Sequence, residues 1–196
     1  MNDKTYTSSK TASQKTLVKL TLVSLFAALI AAGTFVSIPI PGTPVTILLQ
    51  NMFVLLAGLI LGPVLGGASA LLYLTAGIIG APVFPRANAG IAFLQGVTGG
   101  FIMGYPLMAF ATGIVAGQPR SDRKTPVWRI ALAAALGILI VYVPGVTWFK
   151  IAMNDTWQGA IVKAFLPFIG IDAVKAVVSV FIAPRLRLAV SDHLNG

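Results

Sequence analysis

The sequence predicts an all-α integral membrane protein, a compact bundle of six transmembrane helices with both termini in the cytoplasm. Three observations carry that expectation. Of 196 residues, 57% are hydrophobic and only 10% are charged, where soluble domains carry roughly 25% charged residues. Apolar runs close to the roughly 20 residues that a spanning helix needs recur between short breaks rich in proline, glycine or charge. The cations gather in three short segments flanking those runs, as the positive-inside rule expects.

Residues 1–15 are polar, basic and rich in Ser and Thr, and predict a disordered basic cytoplasmic tail. The apolar run after them is long and has no convincing cleavage site, so it is read as a spanning helix and not as a signal peptide. Residues 16–190 form the six-helix membrane domain, and 191–196 a C-terminal tail. The first span runs from about Leu17 to Ile38. It stops at IPIPGTPVT, where Pro39, Pro41 and Pro44 forbid helix continuation and favour extended backbone. The second covers about Ile47 to Leu61, and a Gly62-Pro63 turn leads into the third, about Val64 to Gly80. APVFPRANAG is the next loop. The fourth span is about Ile91 to Ala116, followed by the charged loop GQPRSDRKTP.

The fifth span runs from Val127 to about Phe149, with Trp128 and Trp148 near its ends as interfacial anchors. KIAMNDTWQGAIVKAF is too polar for the centre of a span and predicts an outer loop with a short surface helix. Pro167 suits the first turn of the sixth span, where its missing N–H is harmless. From Pro167 to Pro184 that helix rises roughly 27 Å at 1.5 Å per residue. Six spans place Lys4, Lys10, Lys15, Lys19, Arg120, Arg123, Lys124, Arg129, Arg185 and Arg187 on one side, 10 of the 14 cations. That side is therefore the cytoplasm.

The formal charge of +9 is explained by orientation in the membrane and contact with anionic lipid, so a nucleic-acid partner is not expected. There is no cysteine and hence neither a disulfide framework nor a thiolate metal site. The one histidine, His193, stands in the tail; no His-Glu-x-x-His, no Gly-x-Ser-x-Gly and no phosphate-binding loop occurs. No catalytic residue, metal or cofactor is expected, and a membrane enzyme is disfavoured.

Function concentrates on Asp172 and Lys175, three residues apart inside the apolar stretch PFIGIDAVKAVVSVFIA. An ionisable side chain at membrane depth costs several kcal/mol unless it faces a bundle interior, a partner or a ligand. At this spacing the two share one helix face. They serve either as an intrahelical ion pair that fixes packing or as an acceptor and donor offered together to a ligand. Thr43, Thr46, Gln50, Asn51, Arg86, Asn88 and Gln95 supply further polar groups on the outer side. Small residues recur every four positions at Ala27 and Ala31, at Ala28 and Ala32, and at Gly96, Gly100 and Gly104. The glycines predict packing within the molecule, whereas the alanines suit internal packing or docking on another membrane protein equally.

The run PGTPVTILLQNMFVLLAGLILGPVLGGASALLYLTAGIIGAPVF, followed by GVTGGFIMGY and the closing DAVKA, resembles the BioY family, the biotin-specific S components of energy-coupling factor (ECF) transporters. The resemblance extends from Leu17 to about Leu188. It implies a six-helix plasma-membrane subunit that captures biotin with high affinity outside the cell. Import would then use a separate transmembrane T component and two cytoplasmic ATPase subunits, in keeping with the missing phosphate loop. The alanine pattern of helix 1 in the family contacts the T component, which makes Ala27, Ala28, Ala31 and Ala32 candidates for that surface. The chain departs from the family in having Ile171 between Gly170 and Asp172, and FPRANAG as the loop after the third span.

On this reading Asp172 accepts from the ureido N–H groups of biotin and Lys175 donates to the ureido carbonyl. Asn88, able to donate and accept, completes the ureido contacts, with Gln50 a further polar candidate. Arg86 meets the carboxylate near the mouth, and Tyr73, Phe84 and Phe93 form the apolar wall. The rival readings are a proton-coupled secondary transporter with Asp172 as the proton carrier, an S component for another vitamin, and a membrane scaffold without substrate.

Overall fold

The computed structural model describes residues 3–39 and 45–195. Its first helix, α1 (Asp3–Ala32), extends back through the segment expected to be a disordered tail. Neither glycine nor proline occurs before Gly33, so no breaker stops the helix from propagating outward. Beyond α1 the described residues that flank the proline-rich segment, Ser37–Pro39 and Thr46–Leu48, are extended. Strands β1 (Ser37–Pro39) and β2 (Thr46–Leu48) pair antiparallel, with Ser37 opposite Leu48. Pro41, Thr43 and Pro44 lie outside the described residues.

Helix α2 (Gln50–Ile78) contains the break expected at Gly62-Pro63: Gly62 has φ 81° and ψ −175°, a conformation open to glycine. The chain reverses there. A Cβ added to Gly66 would lie 2.8 Å from Gly58 Cα, whereas residues eight apart on a straight helix are separated by roughly 12 Å. Limbs 50–61 and 63–78 therefore pack against each other as a hairpin, and Pro63 opens the second limb where its missing N–H costs nothing.

After α2 come a 3-10 turn (Pro85–Ala87) and the short helix α3 (Ile91–Leu94). Helix α4 (Gly99–Ala116) starts separately, which corrects the expectation of one continuous span from Ile91. Gly99 sits so close to the Leu94 carbonyl that no side chain fits between them, and the chain folds through Gln95–Thr98 instead of continuing as helix. Helix α5 (Val127–Ala152) runs on through Pro144, and α6 (Trp157–Ala164) is the expected short helix after it. Helix α7 (Leu166–Asn195) passes through Pro184 and takes in most of the segment expected as a C-terminal tail; Ser191 within it is buried.

Helix α4 packs against α2 on one side and α5 on the other, and α7 closes the bundle against α2 and α5. Without a hydrophobic force between helices in lipid, close approach supplies the packing energy. Gly100 and Gly104 provide it as expected: an added Cβ would stand 2.5 Å from the Pro144 carbonyl oxygen or 2.8 Å from Pro144 Cγ. Gly96, expected in the same stripe, belongs to the turn, where its carbonyl accepts from the Trp148 indole N–H at 3.0 Å. Trp148 is thus tied to the turn before α4, whereas Trp128 is exposed.

Breaking α2 at Gly62 and ending α4 at Ala116 leaves terminal carbonyl groups that need donors. Arg187 of α7, only 3% exposed, supplies them to both ends. Its guanidinium donates to the Leu59 carbonyl, and through Nη2 to Ala116 O at 3.2 Å and Gly117 O at 2.9 Å. Among the described residues five helical stretches are long and apolar enough to cross a membrane: Gln14–Ala32, Gln50–Ile78, Gly99–Ala116, Val127–Ala152 and Leu166–Asp192. Large apolar side chains, Leu107, Val143 and Phe181 among them, face outward, as a lipid-bathed surface requires.

Candidate ligand-binding site

Asp172 lies six residues into α7, about 9 Å along its axis. Spacing alone puts Lys175 on the same face, and packing of α7 against α2 and α5 turns that face inward, leaving the two residues 6% and 7% exposed. Asp172 Oδ1 accepts from Lys175 Nζ at 2.9 Å and from Asn51 Nδ2 at 2.8 Å, while Oδ2 accepts from the Tyr142 hydroxyl at 2.6 Å. Lys175 Nζ also donates to Asn51 Oδ1 at 2.8 Å and to the Leu48 carbonyl at 2.6 Å. All three ammonium protons are thus accounted for. Asn51 bridges the charged pair, giving to one partner and accepting from the other.

Each contributor is set in place by local structure. The turn from β2 into α2 brings the Leu48 carbonyl and the Asn51 side chain to the same spot. Tyr142 projects from the middle of α5, its ring edge-on to Phe165 at 4.8 Å and to Phe101 at 5.8 Å. A buried ion pair is tolerated when its remaining lone pairs and protons are satisfied, and this network meets that condition.

The network forms one wall of a partly open cavity. Val45 and Ile47 line it from the hairpin, Phe101, Ile102 and Tyr105 from α4, Val141 from α5 and Phe168 from α7. A few convergent polar groups on otherwise apolar walls characterise small-molecule sites. The arrangement can recognise a compact ligand that carries both N–H donors and a carbonyl acceptor at one end and apolar surface elsewhere.

The other residues singled out in the sequence fall into different places. Tyr73, Phe84 and Phe93 do come together, Phe84 stacking on Phe93 at 5.4 Å and meeting Tyr73 edge-on at 5.8 Å. They stand behind the cavity wall, which Tyr73 reaches through Tyr105 at 6.4 Å. Gln50 is fully buried beside Tyr73, and among the described residues neither its amide atoms nor the Tyr73 hydroxyl makes a hydrogen bond of normal geometry. Arg86 and Asn88 are exposed and outside the cavity lining. Phe84, wholly buried, anchors the loop, and the turn at Arg86, with φ 61°, directs these side chains outward. The Asn88 amide donates to Pro85 O at 2.8 Å. Of the α1 alanines, Ala27 is buried in the core and Ala31 half-buried, whereas Ala28 and Ala32 are exposed.

Tyr142, Tyr105, Phe101 and Phe168 were not anticipated. A tyrosine in mid-span, with a polar tip that hydrocarbon cannot satisfy, is the signal that marks Tyr142 and Tyr105. Phe101 and Phe168 carry no such mark.

Residues 5–192 match the family model described as the BioY family. The chain is 39% identical over 169 residues to a probable biotin transporter BioY of Pyrococcus horikoshii, covering 86% of this chain and 96% of the relative. It is 36% identical over 169 residues to the biotin transporter BioY of Thermotoga maritima, covering 86% and 95%. Among solved structures, the S-component for biotin from an ECF-type ABC transporter superposes with a TM-score of 0.77 at 29% identity, covering 88% of this chain and 92% of that one.

Proposed function

Because the chain belongs to the BioY family, we propose that it binds biotin and serves in its uptake as the substrate-specific S component of an ECF transporter. The observation that carries this reading is the network of Asp172, Lys175, Asn51 and Tyr142 on the wall of an otherwise apolar cavity. The biotin ureido ring offers two N–H donors and one carbonyl. A carboxylate has about four acceptor positions and three are filled by Lys175, Asn51 and Tyr142, so binding exchanges bonds within the network: Asp172 releases a present donor to take the ureido N–H groups, and Lys175 gives up one of its three acceptors to donate to the ureido carbonyl.

Asn51, and not Asn88, completes the ureido contacts, because its amide already lies between the two charges. Phe101 and Phe168 provide aromatic surface for the thioether, whose sulfur gains roughly 0.3–1.5 kcal/mol at a ring edge. Tyr142 holds the carboxylate in position. Gln50 and Tyr73, buried one layer behind, shape the wall through Tyr105.

The membrane arrangement proposed is six crossings, the two limbs of α2 counted separately, with both termini cytoplasmic; the distribution of cations supports it. The exposed pair Ala28 and Ala32 is the part of the alanine pattern free to meet a T component, and ATP hydrolysis would fall to two cytoplasmic ATPase subunits.

Calorimetric titration of the detergent-purified protein with biotin tests the reading directly. Tight binding is expected for biotin and not for thiamine or riboflavin. Asp172→Asn and Lys175→Met should each weaken it at least tenfold, since a charge-assisted hydrogen bond contributes about 1.5–3 kcal/mol. Affinities within about twofold of wild type for both variants would reject the pose.

A further inference from the structure

At the end of the bundle remote from this cavity, we infer that the loop between α4 and α5 and the buried Arg187 of α7 form a binding site for the phosphate headgroup of an anionic phospholipid. Fifteen residues of α7, about 22 Å, separate Arg187 from Asp172. An open cleft there is lined by Arg120, Arg123, Lys124, Thr125, Val127 and Arg187, among others. It adjoins a second cleft that shares Arg120, Arg123, Lys124 and Thr125 and adds Arg129.

Orientation in the membrane accounts for cations at this end but not for their convergence around one buried side chain. Arg187 is 3% exposed, and its Nε has no hydrogen-bond partner although the rest of the guanidinium is bonded. The ion pairs among the described residues are Asp155 with Lys163 and Asp172 with Lys175, so no carboxylate neutralises this group. The cleft also receives the N-terminus of α5. Intrahelical bonds there begin with the N–H groups of Arg129 and Ile130, and Pro126 provides no side-chain cap, leaving the first turn open to an anion. Guanidinium groups match phosphate oxygens bidentately.

The surroundings select a lipid over a free anion. Val127, Trp128 and Leu188 stand exposed beside the cleft, giving acyl chains an apolar path away from a headgroup. An indole at that level suits the membrane interface.

The test is native mass spectrometry of the detergent-purified full chain with dioctanoyl phosphatidylglycerol, dioctanoyl phosphatidylcholine or inorganic phosphate. Phosphatidylglycerol should bind at least tenfold more tightly than phosphatidylcholine. The double variant Arg123→Gln/Lys124→Gln, on the exposed loop, should lose about fivefold per cation removed, with biotin affinity unchanged. The control Lys15→Gln/Lys19→Gln should keep wild-type lipid binding. Arg187→Gln, if it folds, should lose at least as much as the double variant. Equal binding of the two lipids, equal losses in the double variant and the control, or full reproduction by inorganic phosphate would overturn the assignment.

Discussion

Replacing Lys175 by methionine removes one ammonium and alters three groups at once. Asp172 loses its counter-charge, Asn51 Oδ1 and the Leu48 carbonyl lose their donor, and the bridge between α7 and the start of α2 is cut. Removing one partner of a buried pair typically costs about 3–5 kcal/mol because the other charge is left uncompensated. For a chain of this length each kcal/mol shifts Tm by roughly 2–4 °C, so a fall of about 6–20 °C is expected. Asp172→Asn should be damaging for the mirror-image reason, stranding the ammonium. In the double variant neither charge remains, and about 0.5–3 kcal/mol of the summed loss should return as coupling. Thermal unfolding of the ligand-free protein in detergent, followed by tryptophan fluorescence, measures all four corners of the cycle. Additive losses, or single variants within about 2 °C of wild type, would show that the pair does not act as the buried unit its geometry describes.

Gly100→Leu should lower Tm by more than about 5 °C, because its side chain would enter the space held by Pro144 and Trp148 at the α4–α5 contact; a Tm within about 1 °C of wild type refutes that packing. Arg86→Gln should leave the biotin dissociation constant within about twofold by calorimetry, since Arg86 is exposed and outside the cavity; a tenfold loss would restore it as a carboxylate contact. The hydrogen bond from Lys163 holds the Asp155 carboxyl below its ordinary value, with further help from the Thr156 N–H. Its contribution is therefore present above the usual carboxylate value of about 4 and is lost as pH falls through the lowered folded value. Between pH 5 and 8 the Tm difference between wild type and Asp155→Asn should stay constant, and it should shrink on the acid side of that range; a difference that grows towards pH 8 would contradict this.

The sequence disclosed what depends on neighbours along the chain. The Gly62-Pro63 break and the short helix before α7 each rest on a backbone preference that acts within a few residues. Asp172 and Lys175 were legible for a different reason: a charge in an apolar span stands out wherever the span lies. Asn51 was visible only as one polar group among several outer-side candidates, because its role depends on α2 and α7 meeting 121 residues apart. Phe101 and Phe168 are ordinary residues for their helices until packing turns them toward one cavity. Arg86 and Asn88 stand outside the cavity lining for the converse reason. Their chemistry suits a ligand, but the buried ring of Phe84 fixes the loop so that both face away. The continuous fourth span failed at Gly99, where a close approach to the Leu94 carbonyl, set by the tertiary path, outweighed the apolar pattern.

The two-ended grip of Arg187 bears on the order in which this chain can mature. Helix α7 follows α2 and α4 in synthesis, so the carbonyl oxygens of Leu59, Ala116 and Gly117 await their donor after those helices have already entered the bilayer. The hairpin at Gly62 is fastened from behind by a segment far along the chain, so one guanidinium ties together backbone from three separate stretches of sequence.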